Sequence, residues 1–414
     1  MTTANTNRFQ PQSEWPAVVV AGAFQTGVVL MRDLLARGLR VFAVDCNSGQ
    51  PGFRSVYGKT YLCPNPDDEP AAWLAFMTGL QEKLGGRPVL IPSADQFVSA
   101  IAAHAEALEP YFLFNHSAMT IQSLLATKKR QYQIAAEHGL VVPRTMFISS
   151  EADIQQFCQQ AIFPCLIKPI HFRDWQRADP SHPFYCEKLS IAESPAELMR
   201  QYKLAAQIHP EVVAQEIIQG PDTAKLVYLS CYAGDGRRLG SCLLRQVRTM
   251  PIHFGSASVV EPINDPEADR LSDAFLRSVG YAGICELELK RDTRDGQVKL
   301  IEANPRYSVT SDAAKYAGVE LGWLNYLDLI GKPVEEVRPS VSNFRHIVLS
   351  RDFGCIRQYR TAGLLSWAQL FQSYRPPVAF FDFDLKDWRL TLSTVIGLSK
   401  TVLYPVYRFL KPKR

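Results

Sequence analysis

The stretch Gly283 to Arg306, GICELELKRDTRDGQVKLIEANPR, limits what this chain can fold into more than any other. Ile284-Cys-Glu-Leu-Glu-Leu289 alternates apolar and acidic residues. At a strand period of two, Glu286 and Glu288 share one face while Leu287 and Leu289 take the core face. A polar Arg-Asp-Thr-Arg-Asp-Gly-Gln turn follows, and the return run Val298 to Ala303 delivers Glu302 just ahead of Asn304-Pro305-Arg306. Antiparallel pairing across the turn would bring Glu288 and Glu302 together, and two close carboxylates repel strongly at low dielectric unless a cation lies between them. Glu288, Glu302 and the Asn304 amide oxygen are hard oxygen donors of the kind Mg²⁺ takes. Arg306 adds a fixed fork for a phosphoryl oxygen or a substrate carboxylate. An amphipathic hairpin with solvated acids is the competing reading.

A chain of 414 residues is too long for one core and points to two or three domains. With 47% hydrophobic and 21% charged residues it is ordinary globular material. Its net charge of +4 gives no support to nucleic-acid binding, which needs a clustered basic face. The nine cysteines are odd in number and include no C-x-x-C pair, which argues against a disulfide framework and against a zinc site. Cys165, Cys231, Cys242 and Cys285 sit in apolar runs, as small buried thiols do in a reducing compartment. The polar leader, residues 1–16, lacks the apolar core of a secretory signal, so the expectation is a cytoplasmic protein.

Residues 17–125 read as a small Rossmann-like α/β domain. Ala17 to Ala21 is a short buried strand, Gly22-Ala-Phe-Gln-Thr-Gly27 a turn, Val28 to Arg37 a helix and Leu39 to Val44 a second strand ending at Asp45. The glycines fit either a dinucleotide site or a turn that packs helix on strand, and G-x-x-x-x-G is a poor match to the dinucleotide pattern. Val89 to Ser93 is a further strand, and Tyr111 to Asn115 is expected as the last. Ser93 and Asp95 either line a pocket or cap the helix from Gln96 to Ala107.

The phrase Ile301-Glu-Ala-Asn-Pro-Arg306, with the preceding Glu-Leu-Glu, resembles the metal-binding signature of the ATP-grasp ligases. In that family the last two strands present an acidic residue, a second Glu and an Asn to Mg²⁺ and ATP. Other stretches resemble the family too. Thr127-Lys-Lys-Arg130, a helix to Glu137, His138-Gly139 and Pro143 resemble its linker, which makes Lys128 a phosphate contact. Phe163-Pro-Cys-Leu-Ile-Lys-Pro169 matches its second phosphate lysine, Lys168, and Glu187 and Lys188 open the next strand as further candidates. Val212 to Asp222 resembles its adenine hinge, which would put the backbone of Glu216 and Ile218 at the base and Asp222 at the ribose. Arg245 and Arg248, ahead of His253, resemble an R-x-x-R stretch of D-aspartate ligase-like proteins and are candidates for holding a carboxylate or acyl phosphate. One departure stands out: His171 to Tyr185 contains no glycine where the family has a glycine-rich phosphate loop, and Arg173 and Arg177 are candidates to replace it.

The resemblance covers about residues 17–335, with likeness also to the ATP-binding domains of carbamoyl phosphate synthetase. It implies an α/β chain: a Rossmann-like domain, then an ATP-grasp domain over 126–335 made of two α+β subdomains that clamp ATP, the small lid at about 145–215. It implies a carboxylate-amine ligase using ATP and Mg²⁺, with Mn²⁺ as a substitute, acting on a small-molecule carboxylate and amine, with a homodimer as one assembly. The extension over 336–414 is rich in aromatic residues. Leu390 to Tyr407 holds a single charge before Arg408, Lys411, Lys413 and Arg414. It reads either as an amphipathic helix peripheral to the inner face of the membrane or as a segment docked on the protein itself.

Overall fold

The computed structural model describes residues 15–170, 172–375, 377–392 and 395–396, with the side chains of Phe172 and Arg173 left aside. Most of the polar leader and most of Leu390 to Tyr407 therefore lie outside the described residues.

Strands β1 (Val18–Ala21), β2 (Val41–Asp45), β3 (Lys59–Leu62) and β4 (Val89–Pro92) form a parallel sheet in the order β3-β2-β1-β4. That is the order of half of a doubly wound sheet. β1 is Val-Val-Val-Ala because both of its faces are buried. β3 reads Lys-Thr-Tyr-Leu at the sheet edge, without an apolar run to announce it. The strand expected at Tyr111 to Asn115 is reduced to one bridge between Val89 and Leu113.

The glycines after β1 are explained by packing. Gly22 has φ +111°, and a Cβ on Gly27, inside helix Gln25–Ala36, would lie 2.0 Å from the Gly22 carbonyl oxygen. The Ser93 hydroxyl donates to that carbonyl at 2.9 Å, and Asp45 accepts from the Ala23 amide at 2.8 Å. The polar residues at the ends of β2 and β4 thus close the turn.

Strands β5 (Thr145–Ile148), β6 (Cys165–Pro169), β7 (Ser190–Ala192) and β8 (Val212–Glu216) form an antiparallel sheet in the order β5-β8-β6-β7. β9 (Lys225–Tyr232), β10 (Arg238–Met250), β11 (Ser256–Pro262), β12 (Gly283–Arg291), β13 (Val298–Asn304), β14 (Arg345–Ile347) and β15 (Val378–Phe380) form a third sheet in the order β13-β12-β9-β10-β11-β14-β15. The acidic hairpin of the sequence is β12 and β13, with Leu287 and Leu289 fully buried as the alternation requires.

The chain divides into two compact units, and the division does not follow chain order. The first holds residues 1–126, 221–288 and 303–414; the second holds 127–220 and 289–302. In the first unit, Val18, Val20, Leu30 and Leu34 share one core with Val227, Leu244, Trp323 and Tyr326. In the second, Ile154, Phe157, Leu198 and Tyr202 pack with the apolar residues of β6 and β8. Trp175 is fully buried there and stacks on Phe184 with ring centroids 4.5 Å apart.

Two glycine substitutions separate packing from propensity. Gly27→Ala should lose about 1–3 kcal/mol, because its methyl meets backbone. Gly79→Ala, inside helix Pro70–Leu84 with nothing within 4 Å, should gain about 0.5–1 kcal/mol. Denaturant unfolding checks both, and an unaltered Gly27→Ala protein would contradict the packing account.

Candidate functional site

In the second unit, Lys128 begins helix Lys128–Glu137 and Lys168 sits near the end of β6. Lys168 Nζ donates to Gln215 Oε1 at 3.0 Å and lies 5.8 Å from the centre of the Tyr132 ring. The Tyr132 hydroxyl is itself fixed by the Ile301 carbonyl at 2.6 Å. Burial pushes the Lys168 ammonium down to about 7, the charge of Lys128 pushes the same way, and Glu302 opposes them. Lys128, Lys168 and Glu302 therefore face one locus with cationic excess. Placing Lys128 at a helix N-terminus adds to the positive potential instead of offsetting it.

The expected hinge is partly spent within the same unit. The Glu216 amide donates to the Arg144 carbonyl at 2.9 Å, so it is not open to a base. The Glu216 carboxylate accepts from the Ile162 amide at 2.8 Å and faces Arg144 at 3.6 Å. Ile218 follows β8 as a buried residue, while Lys188 is exposed just before β7.

In the first unit, Glu286 on β12 is buried and fully engaged. It accepts from Asn304 Nδ2 at 2.9 Å, from Ser308 Oγ at 2.6 Å and from the Thr310 hydroxyl. Asn304 Oδ1 accepts from Arg306 Nη2 at 3.2 Å. Arg306 also donates two bonds to Asp95, Nε at 2.6 Å and Nη2 at 3.0 Å. Asp95 opens helix Asp95–Ala103 and orients an arginine 211 residues away, a role beyond capping.

Glu288, half-buried one alternation further along β12, acts on Lys225 and on Arg351. Lys225 and Arg351 are both pulled below their usual range by burial and held up in part by Glu288. Lys225 also lies 3.8 Å from Asp222. Asp222 is buried, and its Oδ2 accepts from the Tyr359 hydroxyl and from the His253 amide at 3.2 Å. Its Oδ1 is buried without a hydrogen-bond partner, and the side chain borders a cavity of about 400 Å³ also lined by Val247, Leu364, Leu365 and Gln369.

Arg245 and Arg248 both have acidic partners within the first unit. Arg245 pairs with Glu261, which Arg345 Nε also holds at 2.8 Å. Arg248 is only 2% exposed. Its Nε and Nη2 donate to the two oxygens of Asp352 at 2.9 and 2.7 Å, and its Nη1 donates to Ser373 at 3.0 Å. That fork is spent inside the protein, so Arg248 ties β10 to helix Leu349–Thr361 instead of meeting a substrate. Arg351, Asp352 and Tyr359 escaped the sequence reading because SRDFGCIRQYR looks like an ordinary surface helix.

No family model matches the chain. Over 244 residues it is 26% identical to a D-aspartate ligase of Enterococcus faecium (strain Aus0004), covering 56% of each protein. Over 239 residues it is 24% identical to the carbamoyl phosphate synthase large chain of Methanothrix thermoacetophila, covering 53% of this chain and 21% of that one. The chain thus spans little more than half of the first relative and about a fifth of the second. Among solved structures it superposes on N5-carboxyaminoimidazole synthetase from Staphylococcus aureus complexed with ADP, with TM-score 0.63 and 13% identity over 87% of this chain and 89% of that one.

The chain has the ATP-grasp fold. Within it, the segment after β6 departs from a glycine-rich phosphate loop, as its sequence requires. It holds the short helix Phe172–Gln176 and is anchored by Trp175, whose carbonyl accepts from the Cys186 amide at 3.2 Å.

The Lys168 titration gives a signed test. A lysine whose folded value is depressed from 10.5 to about 7 destabilises the fold as it gains its proton. The cost is absent above 10.5, grows as pH falls to about 7 and is constant below. Lys168→Met should therefore gain most relative to wild type at and below pH 7, with the advantage shrinking toward pH 10. Urea unfolding of both proteins from pH 6.5 to 10 measures this, and a pH-independent difference would contradict it.

Proposed function

We propose that this protein is an ATP-dependent carboxylate-amine ligase. Mg²⁺-ATP converts a substrate carboxylate to an acyl phosphate, and an amine then displaces phosphate, leaving an amide, ADP and inorganic phosphate. The observation that supports this best is the action of both Lys128 and Glu302 on Lys168, a locus short of negative charge and so suited to a polyphosphate. The donor set also fits the metal: Glu288, Glu302 and Asn304 offer hard oxygens, few enough that phosphates and water fill the remaining positions. Bound Mg²⁺ would neutralise phosphoryl oxygens and fix their geometry.

The residues of the chain position and neutralise. Lys128 and Lys168 take phosphate charge, and Arg306, oriented by Asp95, steadies the transferring group. Asp222, whose Oδ1 has no hydrogen-bond partner and lies 3.8 Å from Lys225 Nζ, is assigned to a ribose hydroxyl. The Ile218 backbone and the remaining backbone of Glu216 are assigned to the base, and exposed Lys188 to an outer phosphate contact. No protein nucleophile is required, so rate comes from orientation and preorganised charge.

A second reading is a catalytically silent nucleotide-binding scaffold, favoured by the glycine-free segment folded around Trp175 and Phe184. We also assign Mn²⁺ as a substitute metal, a homodimer as the assembly, and the cytoplasm, with the tail touching the inner membrane face, as the setting. Exposed Trp367, Phe371, Leu385 and Trp388 support that contact. Among the described residues no helix is long and apolar enough to cross a membrane.

Phosphate release with Mg²⁺-ATP and pooled carboxylates and amines separates the two readings. Wild type should release phosphate, and Glu302→Gln should lose about 100-fold or more while keeping its melting temperature. Full activity in Glu302→Gln would refute the metal assignment, and a silent wild type would favour the scaffold.

A further inference from the structure

We infer that Arg351 is the docking residue for the oxyanion of the acceptor, the carboxylate that becomes the acyl phosphate. The inference rests on the ligase reading and adds a residue that the acidic hairpin does not supply.

Arg351 lies in the first turn of helix Leu349–Thr361. That turn is fixed from two sides. Asp382 accepts from the Leu349 amide at 2.9 Å and the Ser350 amide at 2.7 Å, and the Val348 amide donates to the Ser258 carbonyl at 2.8 Å. The next residue, Asp352, is locked to Arg248. The backbone that presents Arg351 is therefore held rigidly.

Its guanidinium is held loosely by comparison. Nη1 donates to the Ala257 carbonyl at 3.2 Å, a neutral acceptor and the side chain's one hydrogen bond among the described residues. Four of its five N–H donors stay unspent. Glu286, Glu288 and Asp382 act on it through their charge, yet no carboxylate comes within ion-pair distance of it among the described residues.

Arg306 approaches the same strand through Asn304, but Asp95 already takes a bidentate share of its fork. Compared with Arg306, Arg351 has more donors to give. A half-buried guanidinium that cannot shed its proton gains most from a planar or tetrahedral oxyanion taken bidentately. Glu288, a proposed metal ligand, acts on the same guanidinium through its charge, so on the ligase reading an oxyanion held by Arg351 lies on the metal's side of β12.

Acetyl phosphate, the smallest acyl phosphate, is a suitable probe. Its affinity for the full-length protein saturated with Mg²⁺-ADP is measured by calorimetry for wild type, Arg351→Lys and Arg351→Met. Wild type should bind it, Arg351→Met should weaken it about tenfold or more, and Arg351→Lys should fall between, since it keeps charge but loses the fork. Mg²⁺-ADP affinity should stay the same in all three, which also verifies folding. Unchanged acetyl phosphate affinity in Arg351→Met, or a wild type that takes Mg²⁺-ADP but no acetyl phosphate, would overturn the assignment. A wild type that takes no Mg²⁺-ADP would overturn the ligase reading on which it rests.

Discussion

A half-buried ammonium with too little negative charge beside it either sheds its proton or draws in an anion, and Lys168 is such a group. A neutral amide oxygen and an aromatic ring hold it, a second lysine crowds it, and Glu302 opposes. Evolution could neutralise the position with one apolar substitution at little structural cost. Keeping the charge makes sense if an anion occupies the site during the working cycle. The same logic applies in the first unit, where Arg351 and Lys225 are depressed by burial near Glu288.

The acidic hairpin has a second property that follows from how the chain is apportioned. β12 leaves the first compact unit at Glu288, and β13 returns to it after Glu302. The two proposed carboxylate ligands are thus the residues at which the chain passes from one unit to the other. Asn304 and Arg306 follow at once, tied to Glu286 and Asp95.

Much of the local structure was legible because it depends on neighbours in sequence. Alternation placed β12 and β13 within two residues, the basic cluster marked the start of helix Lys128–Glu137, and Gly139, with φ +78°, ended it. Pairings across long separations were not legible. Arg248 meets Asp352 across 104 residues, Asp222 meets Tyr359 across 137, and Arg306 meets Asp95 across 211. No periodicity encodes such partners, so Arg248 looked like a substrate residue and Arg351 drew no reading. β3 was missed for the opposite reason, because an edge strand with half-exposed polar residues has no hydrophobic signature.

The account turns on a divalent cation bridging a triphosphate to these carboxylates and lysines. Calorimetric titration of ATP into the protein, with Mg²⁺ present and with Mg²⁺ chelated, tests this most directly. The account predicts saturable ATP binding that weakens at least about tenfold when Mg²⁺ is withdrawn. ATP binding of equal strength in both conditions, or none in either, would contradict it.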